Sequence, residues 1–169
     1  MVDFAMHLEE TVELTNAIQA IAARHPAITP SFNQTFDPPL RAAPITVSIE
    51  TKKAGIEWEK AVIQISTWAA AQFTRLEQLL DDSGHPGQSP LFLPLFIVQG
   101  HDWSFLAATR QPGGLTTIWS KVIVGSTNSA LGIYQIVATL RLLAQWSTDV
   151  FKPWFWKYIL GLDATPTDE

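Results

Sequence analysis

A glutamate and a lysine two residues apart, at the end of an apolar strand, are the residues of this chain best suited to do chemistry. In "ITVSIETKKAG" (residues 45–55), Ile45, Val47 and Ile49 alternate with Thr46, Ser48 and Glu50, and Thr51 separates Glu50 from Lys52. A side-chain period of two puts Glu50 and Lys52 on one face. A neighbouring strand carrying Asp3, from "VDFAM", can set a second carboxylate beside Glu50. Two carboxylates a few ångströms apart repel each other and need a cation between them. Magnesium takes oxygen ligands and keeps waters, so it suits such a pair. The Lys52 ammonium then has work to do: it can orient or deprotonate a metal-bound water and offset charge on a phosphoryl transition state. The three groups form a minimal kit for metal-dependent phosphodiester hydrolysis. A plainer reading stands beside this one, in which Glu-x-Lys is a strand running out into solvent and Asp3 is a surface residue.

The surrounding pattern supplies elements to position these groups. Residues 2–6 read as a short strand and residues 8–24 as an amphipathic helix, with Leu8, Val12, Ile18 and Ile21 on one stripe and Glu9, Glu10 and Glu13 near its favourable N-terminal end. "HPAITPSFNQTFDPPLRAAP" holds five prolines and reads as a loop. After the strand at 45–52, "KKAGIE" turns the chain into a helix over about 57–80, which aims Val62, Ile65, Ala69, Phe73, Leu76 and Leu79 or Leu80 at a core. "LPLFIVQG" and "WSFLAATR" flank His101-Asp102 as a hairpin, and "TTIWSKVIVGS" makes a further strand. Ser126, Thr127, Asn128 or Ser129 can cap a helix over about 130–150. Pro153 breaks or restarts it, "WFWKYILG" forms a short helix ending near Gly161, and residues 163–169 read as a flexible tail. The order predicts an α/β or α+β domain over residues 1–162, one mixed sheet flanked by helices.

Composition narrows the chemistry. Hydrophobic residues make up 47% of the 169 and charged residues 16%, a globular balance. Cysteine is absent, which excludes disulfides and thiolate metal sites. His7, His25, His85 and His101 show no helical ligand spacing, which argues against zinc. Any metal would be held mainly by oxygen, as magnesium and manganese are. Net charge is −5 with eleven dispersed Lys and Arg, which argues against a protein that coats DNA non-specifically but not against one that grips a single phosphate. No apolar run approaches the ~18 residues of a membrane span, and the N-terminus lacks signal-peptide order.

Other candidates have simpler explanations. His101 and Asp102 could be an acid–base pair, but a turn role fits their position better. Lys53 faces away from Lys52 in an ideal strand and reads as a solvated lysine. Trp146, Trp154, Phe155, Trp156 and Tyr158 could stack on bases, but read first as core material. "QPGG" and "GSTNSALG" lack the spacing and lysine of a phosphate-binding loop.

The succession "VDFA", "VSIETK", a helix with "QISTW", "VQGHDW", "IWSK" and "GSTNSALGIYQIV" resembles the fungal proteins of the PD-(D/E)XK nuclease-like superfamily, from Asp3 to about Leu160. The resemblance implies a restriction-endonuclease-like fold in which Asp3 matches the motif's aspartate, Glu50 its second acid and Lys52 its lysine. The Thr51 carbonyl would be a further metal ligand. Gln64 would match a glutamine that follows the lysine strand in several branches, and Trp68 an aromatic position one turn on. Two departures accompany it. Val2 stands where the motif has proline, and the helix and strand that normally precede the aspartate strand are missing. The chain is therefore expected to be a fragment, a truncated gene model or a reduced variant, with bared apolar sheet surface available to a partner or to self-association.

Together these readings lead to an expected magnesium- or manganese-dependent nuclease acting on nucleic acid, DNA rather than RNA, inside the cell in nucleus or cytoplasm. Asp3, Glu50 and Thr51 would hold metal, Lys52 would position water and Gln64 would assist. The alternative is a catalytically inactive nuclease-fold binding or scaffold protein, which the acidic charge and missing elements favour.

Overall fold

The computed structural model describes residues 2–24, 31–35, 37–41, 43–55 and 58–162. The expected tail at 163–169, part of the proline-rich loop with His25, and the expected helix start at residue 57 lie outside the described residues. Strands β1 (Phe4–His7), β2 (Ile45–Lys52), β3 (Leu93–Gln99), β4 (Asp102–Arg110) and β5 (Thr116–Ser126) lie side by side in chain order as one sheet. β2 and β3 run parallel and the other neighbours antiparallel, so the sheet is mixed. Helix α1 (Val12–Arg24) follows β1, α2 (Trp58–Asp82) crosses between the parallel strands, and α3 (Ala130–Trp146) and α4 (Lys152–Phe155) come last. This is the helix-flanked mixed sheet that the sequence pattern implies.

Alternation divides the apolar residues between two cores. Leu93, Leu95, Ile97, Leu106 and Ala108 pack with Ile65, Trp68, Ala69 and Phe73 of α2. Val47, Ile49, Phe96 and Val98 pack with Leu143 of α3. With cover on both sides, the first six residues of β2 are all buried, polar ones included. Buried polar groups must then find partners. Thr46 Oγ1 donates to Met6 O at 3.3 Å, and Ser48 Oγ accepts from the Trp68 indole N–H at 2.9 Å. Gln72 Nε2 donates to Ile45 O at 2.9 Å. The last two bonds fix α2 against the strand that carries Glu50.

Several local expectations are corrected. β1 begins at Phe4, and Asp3 sits in a bend before it. α1 begins at Val12 rather than at residue 8, with Thr11 Oγ1 accepting from Leu14 N at 3.1 Å as an N-terminal cap. From that start Leu14, Ile18 and Ile21 face inward, whereas Val12, placed on the apolar stripe by sequence, is exposed. The hairpin loop is Gly100-His101 instead of His101-Asp102: Gln99 pairs with Asp102, and Gly100 takes the positive φ of 60° that the tight turn demands. Among the possible caps of α3 it is Ser129 Oγ that accepts from Gly132 N, at 3.0 Å. Pro153 stands in the first turn of α4, the restart that is one of the two outcomes expected of it, so the helical run continues past it. The chain passes it through a wide π turn at Ser147–Phe151, which absorbs the missing N–H, and a second at Trp156–Leu160 leads to the left-handed Gly161. The aromatic set around it is core: Phe155 and Trp156 are buried, and Trp146, Trp154 and Tyr158 pack against them.

The entry to α3 is tight. A methyl group built on Gly132 would stand 2.2 Å from Ser126 O and 2.6 Å from Ser126 N, and one on Gly125 would stand 2.5 Å from Gly132 O. The obstacles are backbone and cannot swing aside. Gly132→Ala is expected to destabilise the fold by about 2–3 kcal/mol through overpacking, read as a lower midpoint in urea with little change in slope. A wild-type midpoint would show that β5 and α3 separate more easily than the packing implies.

Candidate active site

Glu50 is the deepest charge in the described structure. Its side chain is 0% exposed, while that of Lys52, two residues on along the same face, is 22% exposed. The geometry follows from the strand: a period of two points both inward to α2, and the end of β2 lets the lysine amine reach back. Lys52 Nζ bonds Glu50 Oε1 and also donates to Gln64 Oε1 at 3.1 Å. Gln64 comes from the second turn of α2, which the Trp68–Ser48 and Gln72–Ile45 bonds hold in place. The structure thus brings together Glu50, Lys52 and Gln64, three residues singled out by sequence. The second carboxylate oxygen, Glu50 Oε2, is buried with no hydrogen-bond partner.

Asp3 and Thr51 form an adjoining pair. Asp3 Oδ2 accepts from Thr51 N at 2.8 Å and from Thr51 Oγ1 at 2.7 Å. Asp3 N in turn donates to Ile49 O at 3.2 Å. The bend before β1 therefore places the Asp3 carboxylate at the end of β2, one residue from Glu50 and one from Lys52 along that strand. Burial acts upward on the Asp3 pKa, but the two Thr51 hydrogen bonds, helped by the Lys52 charge, outweigh it, so the carboxyl sits below its ordinary 3.8. A lowered folded pKa means that the stabilisation is present above 3.8 and is lost as pH falls through the folded value. Asp3 is exposed, so the effect is small, under ~1 kcal/mol. Asp3→Asn is expected to melt slightly below wild type at neutral pH and to converge with it in acid. An undiminished gap at the lowest pH would contradict this origin.

The remaining candidates lie elsewhere. Lys53 is exposed, as its opposite facing implies. His101 Nδ1 meets Thr127 Oγ1 at 2.7 Å, and Thr127 N donates to His101 O at 3.0 Å, so this histidine ties the hairpin to the entry of α3. The sequence reading missed Gln34, whose amide nitrogen and oxygen are both buried and unpartnered. It lies in a proline-rich loop, where no periodicity marks a residue as inward.

A family model described as the PD-(D/E)XK nuclease superfamily matches residues 1–152. The chain belongs to that superfamily. No curated protein and no solved structure matches it. Glu50-Thr51-Lys52 has the D/E-x-K spacing of the superfamily's name. The restriction-endonuclease-like fold and the suggestion of nuclease chemistry follow from this membership; members generally use divalent metals. Among the described residues no three of His, Cys, Asp and Glu gather to hold an ion. A metal site built from the described residues would rest on at most two such side chains, completed by main-chain oxygen or water. The unpartnered Glu50 Oε2 fits that role, since a hard cation satisfies a buried oxygen that no donor reaches. No helix of the described residues is long and apolar enough to cross a membrane.

Proposed function

We propose that this protein is a metal-dependent nuclease that hydrolyses phosphodiester bonds of nucleic acid, DNA in preference to RNA. The observation that carries the reading is the unpartnered Glu50 Oε2 beside the Lys52 amine in a PD-(D/E)XK chain. A bound magnesium or manganese ion would lower the pKa of a ligated water and neutralise phosphoryl charge. Glu50 and Asp3, with the Thr51 carbonyl, would be the residues that hold it. Lys52 positions the attacking water and offers positive charge to the phosphoryl oxygens. Gln64 accepts a hydrogen bond from Lys52 Nζ and so sets the direction of the amine. The burial of Glu50 strengthens its own interactions relative to water.

One feature of the geometry favours a second reading, a nuclease fold that binds without turnover: Lys52 itself caps one Glu50 oxygen, and Thr51 holds an Asp3 oxygen. Labelled single- and double-stranded DNA and RNA incubated with magnesium or manganese, with a chelator control, separates the two. Metal-dependent cleavage is the expected result. A folded protein that shows no cleavage and no metal binding by calorimetry establishes the scaffold reading instead.

Self-association also belongs to the proposal. β5 is one of the two outer strands of the sheet and leaves Trp119, Val122 and Ile123 exposed. A long apolar edge of this kind pairs readily with another strand. Wild type is expected to sediment as a dimer and Ile123→Lys as a monomer; a monomeric wild type would end this part of the proposal.

A further inference from the structure

An amide with both ends buried and bonded to nothing is costly to keep, and Gln34 is in that state: neither Oε1 nor Nε2 has a partner. Its surroundings are well anchored. Ser31 O accepts from Arg75 Nε at 3.0 Å and from Nη2 at 2.6 Å, and Phe32 N donates to Arg41 O at 2.9 Å. Asn33 bonds Leu40 O, Ala43 O at 2.9 Å and, through Oδ1, Ile45 N at 3.0 Å, which ties the segment to the first residue of β2. Gln34 is thus presented by fixed backbone.

Gln34 lines a cavity of about 300 Å³ with Gln64, Thr67, Trp68 and Ala71. The volume is at the lower end of the range for small-molecule sites. Gln64 joins the cavity to the Glu50–Lys52 centre, because its Oε1 holds the lysine amine. Trp68 supplies an aromatic wall whose orientation the bond to Ser48 fixes. Thr67 Oγ1 is already committed to Ile63 O at 2.9 Å. None of the five lining residues carries a charge, so the cavity suits a neutral planar group better than a phosphate or carboxylate. A glutamine amide offers one donor and one acceptor side by side, the complement of adenine N6 and N7.

We propose that this cavity is a base-reading pocket for the nucleotide beside the cleaved phosphodiester, with adenine favoured and Gln34 the residue that selects it. The proposal rests on the nuclease reading above and adds substrate specificity to it. The cavity opens to solvent past the exposed Thr67 and Ala71, and a base can lie against Gln34 and the Trp68 ring only by leaving its stack, so single-stranded or locally unpaired substrate is preferred.

The test maps cut positions on mixed-sequence single-stranded DNA and measures the affinity of adenine-containing and adenine-free oligonucleotides by fluorescence anisotropy. Wild type is expected to cut beside adenine about tenfold or more above other bases. Gln34→Leu is expected to cut without preference, to keep its rate on adenine-free DNA within about twofold, and to melt a few degrees higher because the orphaned amide is gone. Substrate containing 7-deazaadenine should lose the preference with wild-type protein as well. Cleavage without adenine preference, or a preference that survives Gln34→Leu, overturns the pocket and leaves the nuclease standing. Gln34-dependent selection of adenine in binding, with no cleavage, overturns the nuclease and upholds the pocket.

Discussion

Lys52→Ala is expected to cut phosphodiester cleavage about 10²–10³-fold at saturating magnesium, the scale seen when one preorganised charge-stabilising donor is removed. The amine touches both Glu50 and Gln64 and is the only cation that the described ion pairs place beside Glu50. No neighbouring lysine takes over, because Lys53 points to solvent. Alanine also strips a buried carboxylate of its counter-ion, which costs stability on its own. Circular dichroism and melting must therefore accompany the assay. Magnesium is expected to raise the melting temperatures of the variant and of wild type alike, since Glu50 and Asp3 remain in both. Loss of cleavage with that thermal response intact assigns Lys52 to the chemical step. Lys52→Arg should not restore the rate, because a planar fork cannot occupy the place of a compact ammonium between Glu50 Oε1 and Gln64 Oε1. Wild-type cleavage by either variant would remove Lys52 from the mechanism.

Local periodicity carried much of this structure. β2 and β5 have the ends expected of them, because alternation and turn residues bound both. The face shared by Glu50 and Lys52 was legible for the same reason. Their depth was not. Alternation alone suggested a charged edge, whereas β2 lies between β1 and β3 with helices over both faces, and only that assembly buries Glu50. The link from Gln64 to Lys52 depends on where α2 docks, which the tertiary bonds Trp68–Ser48 and Gln72–Ile45 set. Asp3 shows the limit of register as a guide. Pairing predicts that it stands across from Glu50, yet a bend before β1 commits one of its oxygens to Thr51. Gln34 left no trace in the pattern, because its segment is held by hydrogen bonds of Asn33 with Ile45 and of Ser31 with Arg75 rather than by apolar spacing.

Glu50→Gln is expected to separate metal binding from folding. In the protein without metal, a fully buried carboxylate carries a desolvation penalty that its single amine contact offsets only in part, and one oxygen gains nothing at all. A neutral amide of the same shape avoids that penalty, so the variant should melt no lower than wild type in chelator. Wild type gains by linkage when the ion binds the folded state alone: at magnesium about 100 times its dissociation constant the gain is about 2.7 kcal/mol. For a chain of this length that is a rise of roughly 5–10 °C. Glu50→Gln should show almost none of it, because an amide oxygen is a far weaker ligand for a hard cation than a carboxylate. Differential scanning calorimetry with and without magnesium reads both quantities in one series. A variant that keeps the full magnesium response would move the ion away from Glu50. A variant that collapses in chelator would show the Glu50–Lys52 pair to be a structural support rather than a site held ready for a cation.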